Sequence, residues 1–421
     1  ICYSKFCLTE YPSILLGLKK LPRPDSIFLA KHLGWKVVSF VSSKLNRQIS
    51  IVGMEKTIIE KWVFLTLLNV FCSYGIAQEH EEQKDLARHL ENHLTQQAQS
   101  QNIPGLSAVV VRNGELIYLE ALGVKDINSR EELTPDHVLP MASISKTFVA
   151  AAIAQLVESD QLDLNAPVTS YLPYFRLTGN RQDEIKISQL LNHTSGMPDA
   201  TEYGYDDPKY DEGALEQWVR EMDQLSLVSD PGAQWGYSDL AFEILGDVIA
   251  KVSGQSFEQY MQTNLFSPLG MKDSSFLYPD AKEELRTSGH LTPTEVSNIY
   301  PYNRRHAPSS SLQSNARDMA LWVQAHLNTG ELNGRRILDS EAFGLLWEPT
   351  FDIAEGVQIG LAWLMVNING HRAVMHNGSD IGFQTQIMLF PDENTGFVIA
   401  SNLQGIDMRA ISSGLTEILL N

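Results

Sequence analysis

Leu86, Leu90 and Leu94 recur at every fourth position among charged neighbours, a period that predicts an amphipathic helix over residues 81–99. The period then changes. Residues 106–112 and 115–120 flank Asn113-Gly114, a pair suited to the two left-handed positions of a type I′ turn, and they predict a β-hairpin. Its first strand is apolar at successive positions from Ala108 to Val111, which predicts a sheet covered on both faces. The most apolar helical segment of the chain opens at Ser143 and runs through Leu156, followed by a connection over 163–173. Ser188 is expected to cap a short helix that stops at Gly196.

Residues 200–212, rich in Tyr, Asp and Gly, read as a surface loop before a helix over 214–225. Ser238 or Asp239 then caps a helix whose apolar face is Phe242, Leu245, Val248, Ile249 and Val252, closed by Gly254. Further helices are expected over 256–265, 316–327 and 340–347, with a loop-like stretch over 277–311 placed to shape a cleft. Four strands follow, over 358–366, 372–375, 383–390 and 396–400, before a last amphipathic helix over 408–420. Strands at both ends with helices between them predict an α/β body. Its antiparallel sheet joins the two chain ends, and a helical region of roughly residues 155–345 is inserted.

Composition sharpens this picture at the N-terminus. The chain has 421 residues, 43% of them hydrophobic, enough for a full core. Its net charge of −19 is uneven, with ten Lys/Arg against four Asp/Glu in residues 1–77 and 22 against 47 thereafter. Such an acidic body is not expected to bind nucleic acid or an anionic membrane. Met54-Glu55-Lys56 opens an export pattern with an apolar run over 62–71 and small residues at Gly75 and Ala77, so cleavage is expected after Ala77. That run is about half of what spans a bilayer, so no stable membrane anchor is expected and the product is exported, periplasmic or secreted. Residues 1–53 precede this signal and read as upstream or wrongly extended sequence, and the catalytic body as 78–421. Cys2, Cys7 and Cys72 are the chain's three cysteines, so the body after residue 77 offers no thiol nucleophile or disulfide.

Ser143 and Lys146 lie three apart at a helix start, on one face and about a turn from each other, so the ammonium can reach the hydroxyl. Taken alone, the pair is equally a capped helix start with a solvated lysine. His89 and His93, an i, i+4 pair on the first helix, lack the glutamate and third ligand of a zinc motif and read as solvated surface histidines. No metal or other cofactor is expected. No Gly-x-Ser-x-Gly occurs, which disfavours an α/β-hydrolase.

Two other short segments decide the reading. Ser143-Ile144-Ser145-Lys146, Tyr237-Ser238-Asp239 and His376-Asn377-Gly378 resemble, in order, the Ser-x-x-Lys, Tyr-x-Asn and Lys/His-x-Gly motifs of serine β-lactamases and penicillin-binding proteins, specifically the class C-like branch. Residues 190–198 and 265–271 also resemble stretches of that branch, so the likeness covers roughly 85–420. It implies the β-lactamase/transpeptidase-like fold with the third motif on a sheet edge. It also implies an acyl-enzyme on Ser143, with Lys146 and Tyr237 sharing the proton work, and Ser143 N–H and Ser379 N–H as oxyanion donors.

Asp239 stands where the family often has Asn, and its charge should favour the ammonium of Lys146, leaving a Tyr237 phenolate as the expected base. A rival alignment treats Ser238-Asp239-Leu240 as a broken Ser-Asp-Asn motif with Tyr237 merely packing. His376, in place of Lys, is mostly uncharged near neutrality and clamps a substrate carboxylate less firmly. The substrate-binding set is therefore Asp239, His376, Gly378 and Ser379. The expected partner is a small ester or peptide-like amide, cell-wall peptide included, with esterase or D-peptidase action ahead of β-lactamase. The alternative from another class is a non-hydrolytic penicillin-binding-like cell-wall binding or sensor protein.

Overall fold

The computed structural model describes residues 81–421. The expected export signal, its cleavage site and residues 1–53 lie outside the described residues. The architecture below is that of the compact unit Gln83–Asn421.

Eight antiparallel strands form one sheet. In chain order they are β1 (Gly105–Arg112), β2 (Glu115–Gly123), β3 (Phe351–Ala354), β4 (Val357–Ile359), β5 (Leu364–Ile368), β6 (His371–Asp380), β7 (Phe383–Phe390) and β8 (Thr395–Ser401). Their spatial order is β2-β1-β8-β7-β6-β5-β4-β3, so β1 pairs with β8 and the sheet joins the two ends of this unit. Asn113 and Gly114 both take positive φ, 54° and 79°, as the hairpin turn requires.

Both faces of the sheet are covered, which is why β1 is apolar at successive positions from Ala108 to Val111. Val109 and Val111 face the large core with Ile144 and Phe148. Ala108 and Val110 face a smaller core with Leu90 and Leu94 of helix α1 (residues 81–100) and with Ile411 and Leu415 of the C-terminal helix Met408–Leu420. The inserted helical region contributes α2 (Ser145–Glu158), whose residues from Ser145 to Ala154 are all buried. A helix enclosed on every side needs no polar stripe, hence its uniform apolar run. Among the described residues no helix is long and apolar enough to cross a membrane.

Several local expectations are corrected. The run 358–366 is not one strand: it folds back between β4 and β5, with Ala362 at a φ of 67° in the turn. The short helix is Ile187–Leu191, capped at Lys186 rather than Ser188, and it ends before Gly196. His93 is not a solvated surface residue, because its Nε2 lies 2.9 Å from the Ile411 carbonyl and its ring packs against Gly414. The strand carrying His376 is interior to the sheet rather than an edge strand. β5 pairs only with 371–375, however, so His376–Asp380 is open on that side and forms a local edge within β6.

Candidate active site

Ser143 lies in a single 3₁₀ turn, Ala142–Ile144, that leads into α2. Ala142 holds a φ of 48°, a left-handed conformation that costs energy for a non-glycine residue and aims the next side chain sharply. The turn is held on two sides: Ser145 Oγ donates to the Ala142 carbonyl at 2.6 Å, and Thr385 Oγ1 of β7 donates to the Met141 carbonyl at 2.9 Å. Gly378 of β6 completes the contact, since a Cβ there would stand 2.5 Å from the Met141 carbonyl and 2.2 Å from Thr385 Oγ1. Only glycine lets the open edge of β6 approach the serine this closely.

Two groups converge on the hydroxyl from separate elements. Lys146 Nζ donates to Ser143 Oγ at 3.1 Å, and Tyr237 OH donates to the same oxygen at 2.8 Å. Tyr237 precedes α3 (Asp239–Ser253), which Ser238 caps by accepting from Ala241 N–H at 3.1 Å. Its ring stacks on His193, centroids 4.4 Å apart, and His193 Nδ1 accepts from Ser238 N–H at 3.1 Å. His193 is therefore fixed as a neutral ring with its proton on Nε2, and burial holds its pKa well below the usual value.

Asp239 opens α3 with its carboxylate 2.5 Å from Lys146 Nζ. Burial disfavours a charge on either group. Their mutual attraction prevails, so the ammonium is held above its ordinary range and the carboxyl below its own. Tyr203 OH also donates to Asp239, and Asp239 N–H donates to Asp199 Oδ1 at 2.8 Å. Asp239 is thus engaged with the lysine rather than free for substrate.

The expected Tyr237 phenolate is not the resting form. Burial raises the phenol's pKa, Lys146 lowers it and Asp239 raises it again, with a net displacement above the usual value. Tyr237 consequently holds its proton and donates it to Ser143. His376 is neutral, pushed down to about 4 by burial and by the Lys146 charge, and its Nδ1–H donates to the Asn377 carbonyl at 2.7 Å. It offers an acceptor nitrogen to the cleft, not a cation.

Ser143, Tyr237, Asp239, His376, Gly378 and Ser379 all line one cleft of about 900 Å³, with Lys146 buried beneath it. His193, Asp199 and Tyr203 line it too, and none of the three was singled out from the sequence. Tyr203 belongs to the stretch read as a surface loop, yet it reaches the centre of the site. The signal available was its aromatic content, since Tyr203 and Tyr205 each find an acid, Asp239 and Asp380.

A serine hydroxyl is thus reached by a lysine and a tyrosine beside an open strand edge. A family model described as beta-lactamase matches residues 90–414. The chain belongs to that family. It is 28% identical over 312 residues to Protein flp of Staphylococcus aureus (strain MW2), covering 72% of this chain and 61% of that protein. This chain therefore spans less than two thirds of that relative's length. The D-alanine carboxypeptidase AmpC of Burkholderia cenocepacia superposes with a TM-score of 0.68 at 21% identity, covering 80% of this chain and 99% of that one. A class C beta-lactamase superposes with a TM-score of 0.70 at 19% identity, covering 81% and 97%. At such identities the two structures speak for the fold alone.

Proposed function

We propose that the protein hydrolyses esters or small peptide-like amides through a covalent acyl-Ser143 intermediate. The convergence of Tyr237 and Lys146 on Ser143 Oγ supports this most directly. The resting hydroxyl accepts from both neighbours, so catalysis requires the Tyr237 bond to reverse. Once Tyr237 has lost its proton, Ser143 donates to the phenolate and its oxygen attacks the acyl carbon. The carbonyl oxygen becomes an oxyanion facing Ser143 N–H at the helix start and Ser379 N–H on the open edge of β6. Tyr237 returns the proton to the leaving group as the carbon–leaving-group bond breaks. Water, deprotonated by the same phenolate, then attacks the acyl carbon, and Tyr237 returns that proton to Ser143 Oγ as the ester bond breaks and the acid leaves.

Near Ser143 the substrate meets a neutral His376, with the Lys146 ammonium already engaged by Ser143 Oγ, the Ser309 carbonyl and Asp239. A carboxylate at this point finds no unengaged ammonium, which favours neutral esters and amides over β-lactams. We expect a short p-nitrophenyl ester, which carries no carboxylate, to turn over faster than nitrocefin or a D-Ala-D-Ala peptide, which both carry one. Nitrocefin turning over fastest would reject this ranking, and a burst without steady state would replace the hydrolase with a protein that is only acylated.

The protonated Tyr237 also gives the pH dependence a sign. The base form grows only as pH rises, so kcat/KM should climb through neutrality into the alkaline range. Asp239→Asn removes a charge that raises the pKa of both Lys146 and Tyr237. The alkaline limb should therefore move to lower pH. A limb that stays in place or moves upward contradicts this assignment.

A further inference from the structure

Lys146 Nζ has three partners: it donates to Ser143 Oγ and to the Ser309 carbonyl at 2.7 Å, and it is ion-paired with Asp239. The last two lead back to one buried pair. Ser309 lies on the short helix α4 (Ala307–Ser310), with its hydroxyl 3.3 Å from Glu243 Oε1 and 3.1 Å from the His306 carbonyl. His306 Nδ1 donates to the same Glu243 oxygen at 2.5 Å, while the Trp218 indole N–H donates to the other. Asp239 connects through Tyr203, whose hydroxyl donates to it and whose ring meets His306 edge-on with centroids 5.1 Å apart. Glu243 follows Asp239 by four residues on α3, so the two acids project from one face of the helix. Glu243 is fully buried and His306 is 2% exposed. A carboxylate so enclosed is costly to keep unless its bonds are complete, and here both oxygens are bonded.

We propose that the Glu243–His306 pair is the positioning device of the catalytic lysine. By holding the Ser309 carbonyl and the Tyr203 ring, it keeps the Lys146 ammonium between Ser143 and Asp239. The inference rests on the acyl-transfer reading of Ser143. Glu243→Gln conserves size but turns one accepting oxygen into an NH₂ facing a donor, either Trp218 or His306. The Ser309 support then loosens, and the ammonium is drawn toward Asp239 and away from Tyr237. The other titratable groups around Lys146, namely Tyr237, His193, His376, Asp199 and Asp380, stay unchanged.

The test is the pH–rate profile of a neutral p-nitrophenyl ester, together with fluorophosphonate labelling of Ser143. Glu243→Gln should lower kcat by about a hundredfold with little change in KM. It should also move the alkaline limb to higher pH, opposite to Asp239→Asn, because the displaced ammonium stabilises the phenolate less. His306→Leu should move the limb in the same direction. His306→Asn, whose amide still donates to Glu243, should return it to the wild-type position. A Glu243→Gln protein with wild-type kcat, or with reduced kcat and an unmoved limb, overturns the proposal. Should Glu243→Gln fail to fold, the two His306 variants decide, and equal profiles from them overturn it. Absence of labelling in the unsubstituted protein overturns both this inference and the acyl-transfer reading. Normal labelling with an unmoved limb overturns the positioning role alone.

Discussion

Replacing Lys146 by methionine should lower kcat/KM by about a hundred- to ten-thousandfold and should also destabilise the protein. The first effect follows from the contact with Ser143 Oγ and from the loss of the charge that opposes burial in setting the Tyr237 pKa. Without that ammonium the phenolate forms at still higher pH. The second effect has a separate cause. Lys146 is fully buried and Asp239 nearly so, and removing one partner leaves the other as an unpaired charge, at a cost of about 3 to 5 kcal/mol.

The deficit should depend on pH. In the native protein Asp239 is held below its ordinary pKa, so it contributes stability above the unfolded value that is lost as pH falls through the folded one. In Lys146→Met the burial that was opposed now prevails and lifts the folded pKa above the unfolded one. The variant's deficit is then full at neutral pH and shrinks as acid protonates Asp239. Adding Asp239→Asn to Lys146→Met should recover much of the stability and none of the activity. Thermal melts at neutral and mildly acidic pH, read beside ester hydrolysis, separate the two effects. A melting point equal to wild type in the single variant would show that the pair carries no such coupling.

Much of the site was readable because its spacing is local. Ser143 and Lys146 share a helix face at three residues' distance, and Tyr237-Ser238-Asp239 sits at the capped start of α3. The joined chain ends were readable as well, since a strand apolar on both faces, such as Ala108–Val111, has to lie between two layers. What escaped depends on contacts without a sequence period. Ser309 supports Lys146 across 163 positions from a single helical turn, and Tyr203 reaches Asp239 across 36 from a loop, each in a stretch whose polarity resembles a solvated loop. The turn at Ala362 was hidden for another reason. An apolar residue takes the left-handed position usually marked by Gly or Asn, so the run reads as unbroken strand. The protonation of Tyr237 was missed because residue identity reports the neighbouring lysine but not the burial that outweighs it.

Ser143 itself carries the most direct test. It is the one hydroxyl on which Lys146 and Tyr237 converge, and its partial exposure at the floor of the cleft leaves it open to a reagent. Ser143→Ala removes the atom that forms the covalent bond, so ester hydrolysis should fall by about a millionfold or to the uncatalysed rate. The fold should persist, since a small side chain in a turn fixed by Ser145 and Thr385 is exchanged for a smaller one. The deciding measurement is intact-mass and peptide mapping after treatment with a fluorophosphonate. One adduct per chain, located on Ser143 and absent from Ser143→Ala, is the predicted result. No adduct, or an adduct on another residue that persists in Ser143→Ala, would contradict the assignment of Ser143 as the nucleophile.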